Sequence, residues 1–225
     1  MNQTPLGDYC NPTLLECIPK DSQNIVEVGC MSGTLAREFK KINPNCSYFG
    51  IDIEPNYLEF AKLHCDRVDS FDIELKDEYF FESQKHVDCW IFGDVLEHLR
   101  DPWELLKKIS KVIPVGGCVV ACIPNVQNWS VIARLALGDF RYEDHGLLDR
   151  THVRWFTRQT AIELFTNSGF EVQTLRARNG TETALSKKIV DLVSEVAVFC
   201  ELDPKISAAD TIPIQYVLLA TLKGT

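Results

Sequence analysis

The sequence predicts an α/β domain built on a mostly parallel sheet, and three observations predict it. Short runs of β-branched and aromatic residues alternate with stretches of helical periodicity, which is the mark of βαβ units. One of those runs, Cys118-Val119-Val120-Ala121-Cys122-Ile123, is apolar throughout, as a strand buried on both faces requires. The chain has 225 residues, 45% of them hydrophobic and 24% charged, ordinary values for a globular protein. At roughly 150 residues per domain this makes one large domain over residues 1–225, with room for an insertion.

Each element follows from local chemistry. Asn24-Ile25-Val26-Glu27-Val28 is the first strand and runs into Gly29. Leu35, Phe39 and Ile42 then recur at helical spacing until Asn43-Pro44 ends the helix. Tyr48 to Ile53 reads as the second strand, and Pro55, suited to a first helical turn, opens a helix carrying Leu58 and Ala61. Val87 to Phe92 is a further strand. Asp101-Pro102-Trp103-Glu104 supplies an N-cap, a proline at the first helical position and a glutamate placed to complete a capping box, ahead of Leu105, Leu106, Ile109 and Val112. Pro114 and Gly116-Gly117 stop that helix before Cys118 to Ile123. Over residues 124–156 the alternation lapses. That segment is too long and too polar for a simple connection and reads as a partly helical cap over a site. Thr157 caps a helix through Phe165 that Gly169 closes, and Phe170 to Leu175 is a strand. Leu185, Ile189, Leu192, Val193, Val196 and Cys200 form one stripe of another helix, and a last strand spans Ile212 to Leu222.

The net charge is −9, from 23 basic and 32 acidic side chains, and such a field repels a phosphate backbone. A small molecule is therefore expected as partner, not nucleic acid or an anionic membrane. Nine cysteines lack C-x-x-C pairs, and the polar Met1 to Cys10 segment has no leader pattern. Both point to a reducing cytoplasm with thiols acting as small buried hydrophobes. The longest apolar run, around Ile214 to Leu222, is too short to cross a bilayer. The oligomeric state is not legible, since the Leu185 to Cys200 stripe serves an interface as readily as a core.

Chemistry concentrates where the first strand ends in Glu27-Val28-Gly29-Cys30-Met31-Ser32-Gly33 and leads into a helix. Glycines there permit positive φ and close approach of a ligand, while the helix N-terminus offers unpaired N–H groups. A dinucleotide fingerprint does not fit, because the glycines stand at 29 and 33 and Met31 occupies the place between them; a nicotinamide-dependent oxidoreductase is disfavoured on that ground. Asp52, 19 residues after Gly33, ends the second strand, where a carboxylate can accept two hydrogen bonds from a ribose diol or else cap the Pro55 helix. Glycine turn and acid together imply an adenosyl ligand without a diphosphate.

At this point the chain resembles a class I S-adenosylmethionine-dependent methyltransferase. The residues that carry the resemblance are Val26 to Gly33, then Gly50-Ile51-Asp52-Ile53-Glu54-Pro55, then Phe92-Gly93-Asp94-Val95-Leu96-Glu97-His98-Leu99 with Asp101-Pro102. Gly146 to Thr157 further resembles a bacterial subgroup linked with polysaccharide or secondary-metabolite gene sets. The resemblance implies a Rossmann-like, seven-stranded, mostly parallel sheet with helices on both faces and an antiparallel last strand. It also implies S-adenosylmethionine as cofactor. Glu27 and the backbone of Gly29, Cys30, Met31 and Gly33 would hold the methionine moiety. Asp52 would grip the ribose, Ile53 would pack on the adenine, and Asp72 with the Ile73 backbone would meet its amino group. Gly93, Asp94 and Val95 would line the sulfonium. Met31 departs from the pattern, that position commonly being glycine, and this feeds the alternative of a non-catalytic binding domain that has kept the fold.

A sulfonium is already an activated methyl donor, so positioning the acceptor provides most of the acceleration. O-methylation of a small molecule, such as a sugar or natural-product intermediate, is the leading expectation, with N- and C-methylation as alternatives. A hydroxyl acceptor benefits from a base, and His145 and His152 in the cap, with Glu97 and His98 after the fourth strand, are the candidates, His145 first because Asp144-His145-Gly146 suggests an exposed loop. Glu97, His98, Asn125, Trp129, Tyr142 and Trp155 are candidate substrate contacts, each equally compatible with a structural role. Arg134, Arg141 and Arg150 suit either an anionic acceptor or ion pairs with Glu143, Asp144 and Asp149. No His, Cys and carboxylate cluster has metal-ligand spacing in the sequence, so no metal is expected, and Cys118 and Cys122 read as buried core.

Overall fold

Alternation along the central strands sorts the core into two layers. In the computed structural model, which describes residues 7–223, the sheet is formed by β1 (Asn24–Val28), β2 (Ser47–Asp52), β3 (Arg67–Ser70), β4 (Cys89–Gly93), β5 (Cys118–Pro124), β6 (Phe170–Asn179) and β7 (Pro213–Leu222). Its order is β3-β2-β1-β4-β5-β7-β6, with β7 antiparallel to both neighbours and the other strands running one way. The expected class is thus observed. The Met1–Leu6 part of the polar leading segment lies outside the described residues.

On β5, Val119, Ala121 and Ile123 face one layer while Cys118, Val120 and Cys122 face the other, as a period of two dictates. The second layer is covered by α1 (Pro12–Cys17), α2 (Thr34–Ile42) and α3 (Pro55–Ala61), through Leu14, Leu35, Phe39 and Leu58. The first is covered by α4 (Glu78–Ser83), α5 (Pro102–Val112) and, after α6 (Trp129–Ala136), by α7 (Arg158–Thr166), which contribute Phe81, Leu106, Ile109, Leu164 and Phe165. Thr157 and Thr160 close a capping box at the start of α7. At α5 only half of the expected box forms: Asp101 Oδ1 accepts the Glu104 N–H at 2.9 Å, but the Asp101 N–H donates to Glu74 Oε1 at 2.8 Å.

Residues 124–156, after β5, hold α6 and an irregular stretch, with isolated bridges Asn125 to Phe156 and Glu143 to Asp149. Two asparagines fix this segment. Asn128 Oδ1 caps α6 through the Ser130 N–H at 3.1 Å, and its Nδ2 donates to the Ile212 and Pro213 carbonyls at 3.0 and 3.1 Å. Replacing it with alanine removes a cap and the Nδ2 donor to these carbonyls, for an expected loss of about 2–3 kcal/mol in urea unfolding. A loss below half of that would mean that α6 is held by other contacts.

The expected helix is α8 (Ala184–Phe199), and of the two places left open for its stripe the core is not the one taken: Ile189 is buried, but Leu185, Leu192, Val196 and Cys200 are exposed. Periodicity shows that a helix face is apolar, not that anything covers it, and α8 packs chiefly beside α6 and α9 (Pro204–Ala209). Of the nine cysteines none is disulfide-bonded, and seven are buried, including Cys118 and Cys122.

Candidate active site

The strand order reverses between β1 and β4, which opens a crevice at their carboxyl ends, the place where open α/β sheets take ligands. Into it run the turn after β1 and the turn after β4. Gly29 (φ 77°), Met31 (φ 46°) and Gly33 (φ 73°) are all left-handed. The Gly29 and Cys30 N–H groups donate to Ile51 O at 2.7 and 3.1 Å, which ties the turn to β2. A Cβ on Gly29 would lie 2.5 Å from Val95 Cγ2, so only glycine lets the two turns approach this closely. Left-handed backbone costs a non-glycine residue about 1–2 kcal/mol. At Met31 that strain is held by the N–H, which donates to Asp52 Oδ2 at 2.8 Å.

Asp52 therefore serves two chain segments. Its Oδ1 accepts the Glu54 N–H at 2.9 Å, while Glu54, not Asp52, caps α3. Burial raises the Asp52 carboxyl and these backbone donors oppose it. Each oxygen keeps a second lone pair for a diol. Ile53, next in sequence, is 57% exposed, an apolar surface at the rim. Asp72 Oδ1 accepts the Glu74 N–H at 2.9 Å and caps the short 3₁₀ turn Ile73–Leu75, in which Ile73 is buried. Glu27 is buried on β1, its Oε2 accepting from the Tyr48 hydroxyl at 2.9 Å, and burial pushes its carboxyl up to about 8 against that hydrogen bond.

The turn after β4 is equally constrained. Asp94 has φ 57°, its N–H donates to Cys122 O at 3.2 Å, and its carboxylate accepts from Gln215 on β7. Burial pushes the Asp94 carboxyl up to about 6, while Cys122, Arg178 and Gln215 hold it down. One step further, the 3₁₀ turn Leu96–His98 brings together residues far apart in sequence. Glu97 Oε1 lies 3.9 Å from His152 Nε2 and 4.0 Å from His98 Nε2, and the two imidazoles meet edge to face at 4.8 Å. Glu97 O accepts the Val153 and Arg154 N–H groups at 2.9 and 3.0 Å, which clamps this turn to the 150s segment.

The other candidates separate. His145 is exposed and has no hydrogen bond or ion pair among the described residues. Asn125 is fully buried, with Nδ2 donating to Asp210 O and Pro213 O at 2.8 and 2.9 Å and Oδ1 accepting the Gln127 N–H at 3.0 Å; no polar group is left for an acceptor. Tyr142 and Trp155 stack with Phe140, at ring separations of 5.8 to 6.4 Å, and the buried Trp155 Nε1 has no partner. Trp129 lies apart from that cluster, lining a cavity of about 290 Å³ with Ser186, Lys187, Val190 and Ile212. Arg134 pairs with Glu143 at 2.6 Å and Arg150 with Asp144 at 2.6 Å, whereas Arg141 turns to Asp139 at 2.9 Å.

Residues 6–175 match the model of a family described as a methyltransferase domain. The chain belongs to that family. S-adenosylmethionine is accordingly its cofactor, and the turn geometry fits it: a cradle that a Cβ would fill at Gly29 and a buried acid with free lone pairs at Asp52. A ubiquinone biosynthesis O-methyltransferase from Hydrogenovibrio crunogenus is 29% identical over 121 residues, 48% of this chain and 47% of that protein. Pavine N-methyltransferase from Thalictrum flavum is 29% identical over 100 residues, 44% of this chain and 28% of its own length. The chain thus spans about half or less of the curated relatives it matches. Among solved structures, an S-adenosylmethionine-dependent methyltransferase from Mesorhizobium loti aligns over 93% of this chain and 96% of its own, with TM-score 0.60 and 15% identity, a likeness of fold.

Proposed function

We propose that this methyltransferase acts on the oxygen of a small-molecule hydroxyl. When bound, S-adenosylmethionine supplies an activated methyl group, and the residues of this chain hold the cofactor, orient the acceptor and ease the loss of its proton. Gly29 to Gly33, Asp52, Ile53, Asp72, Ile73 and Gly93 to Val95 make the cofactor side. The observation that carries the oxygen assignment is the Glu97, His98 and His152 cluster, two acceptor groups four and five residues beyond Gly93 and a third on the segment clamped to that turn. A neutral amine brings its own lone pair; a hydroxyl must give up a proton, and this cluster is built to deal with one. Of the two histidines considered as base, His152 has an orienting carbonyl, at Leu147 O, and His145 has none. The exposed Tyr142 offers a face for the acceptor body.

The charge of −9 supports a small molecule over nucleic acid, and the unpaired cysteines suit a reducing cytoplasm. Among the described residues no helix is long and apolar enough to cross a membrane. Incubation with isotopically labelled S-adenosylmethionine and a panel of hydroxylated and amino metabolites, read by mass spectrometry, tests the proposal. Label is expected on oxygen; label on nitrogen or carbon alone would overturn the oxygen assignment.

Glu27 gives this reading a pH signature. Its carboxyl holds a proton up to about pH 8, and the cationic methionine end of the cofactor favours the ionised form. Binding below that pH therefore releases a proton, and affinity is expected to climb with pH until about 8 and then level. Calorimetry in buffers of different ionisation enthalpy reads the proton directly. Glu27→Gln should abolish the release, and a wild-type affinity that ignores pH across this range would remove Glu27 from the cofactor's surroundings.

A further inference from the structure

Glu97 is 1% exposed, and neither carboxylate oxygen has a hydrogen-bond partner among the described residues. What faces it is a pair of imidazole nitrogens, and ligand atoms of Glu97, His98 and His152 all lie within 4.8 Å of one another. The far nitrogen of each ring sits against a carbonyl: His98 Nδ1 is 3.1 Å from Thr151 O, and His152 Nδ1 is 3.4 Å from Leu147 O. A carbonyl only accepts, so Nδ1 carries the proton in both rings and each Nε2 presents a lone pair. The Thr151 hydroxyl, also 3.1 Å from His98 Nδ1, donates to Asp149 Oδ1 at 2.6 Å and does not change this assignment. A buried carboxyl group and two ring lone pairs thus converge. Acceptors gathered in this way, with one of them fully buried, call for a positive centre in their midst.

We propose that Glu97, His98 and His152 hold one divalent transition-metal cation of the zinc class, with its remaining coordination positions open to the oxygen of the methyl acceptor. Two imidazoles and one carboxylate suit zinc, iron or nickel; magnesium and calcium prefer oxygen alone. Three protein ligands with an open position is the pattern of catalytic rather than structural sites. Each ring already has the carbonyl partner on its other nitrogen that fixes the tautomer of a ligating histidine. Bonds of ~2.0–2.1 Å place tetrahedral donors ~3.3 Å apart, so the separations of 3.9 and 4.0 Å must close by less than ~1 Å and the widest in the set, within 4.8 Å, by up to ~1.5 Å. His98 is the exposed member and gives the ion its way in.

Cation binding stands on these distances alone, whereas its use in catalysis rests on the O-methylation proposed above. There, a cation held by Glu97, His98 and His152 would lower the pKa of an acceptor hydroxyl bound to it, so that the proton passes to water and His152, its Nε2 lone pair on the cation, acts as a ligand in place of the base. The oxygen lone pair then forms the O–CH3 bond as the S–CH3 bond breaks, leaving a neutral thioether.

The test uses the full chain stripped with a chelator and titrated with Co2+, a spectroscopic stand-in for zinc. One equivalent is expected, with visible bands of nitrogen and oxygen coordination and no thiolate charge-transfer band. Glu97→Gln and His152→Gln should each weaken binding at least tenfold while S-adenosylhomocysteine affinity stays within twofold, which also shows that the variants fold. If a buried variant fails to fold, His98→Ala, at the surface, should show the same loss. No saturable Co2+ binding, a thiolate spectrum, or Glu97→Gln binding Co2+ as tightly as the wild type would each overturn the site. Co2+ bound as described while methyl reaches only nitrogen would overturn its role toward the acceptor.

Discussion

Asp52→Ala is expected to weaken S-adenosylhomocysteine binding by at least ~100-fold in calorimetric titration. The carboxylate accepts the Met31 N–H at 2.8 Å and the Glu54 N–H at 2.9 Å, so its loss frees the left-handed turn as well as the acceptor for the ribose. Hydrogen bonds to a charged group contribute about 1.5–3 kcal/mol each, and one such bond plus one diol contact already reaches ~100-fold. Asp52→Asn keeps one acceptor oxygen and should fall between wild type and alanine. An alanine variant that binds as well as wild type would show that this acid serves the fold only.

Gly29→Ala is the second large effect, an expected destabilisation of about 2–4 kcal/mol by urea unfolding. Two terms add. The residue stands at φ 77°, which costs any side chain about 1–2 kcal/mol, and the new Cβ would lie 2.5 Å from Val95 Cγ2. Introducing Val95→Ala as well should recover the contact term and leave the backbone term, so the double-mutant cycle separates them. Equal losses in both backgrounds would mean that the approach of the two turns is looser than the geometry gives.

These two positions also show what the sequence makes legible. A glycine turn and an acid at the end of the next strand are local features whose physical demands, positive φ and an accepting carboxylate, are written into the residue types themselves. The apolar run at Cys118 to Ile123 announces a strand with two cores in the same way. β3 gave no such signal, because an edge strand reading Arg-Val-Asp-Ser has one paired neighbour and little to bury. The stripe on α8 left core and interface undecided because apolar periodicity records a face and not its cover. Glu97, His98 and His152 were legible as separate candidates but not as one cluster, since His152 stands 54 residues after His98 and contacts of the Glu97 carbonyl and the His98 ring with the 150s segment bring them together. A hint was present in Leu96-Glu97-His98-Leu99, an acid set between leucines that both prove buried.

We propose that the crevice between β1 and β4, closed by Asp52, holds S-adenosylmethionine with its reactive end toward Glu97, His98 and His152. A crystal structure of the chain grown with S-adenosylhomocysteine is the test. Ribose hydroxyls are expected on Asp52, adenine against Ile53 and the thioether beside Gly93 to Val95. Density for the nucleoside anywhere else, or an Asp52 that still touches only the Met31 and Glu54 backbone, would contradict it.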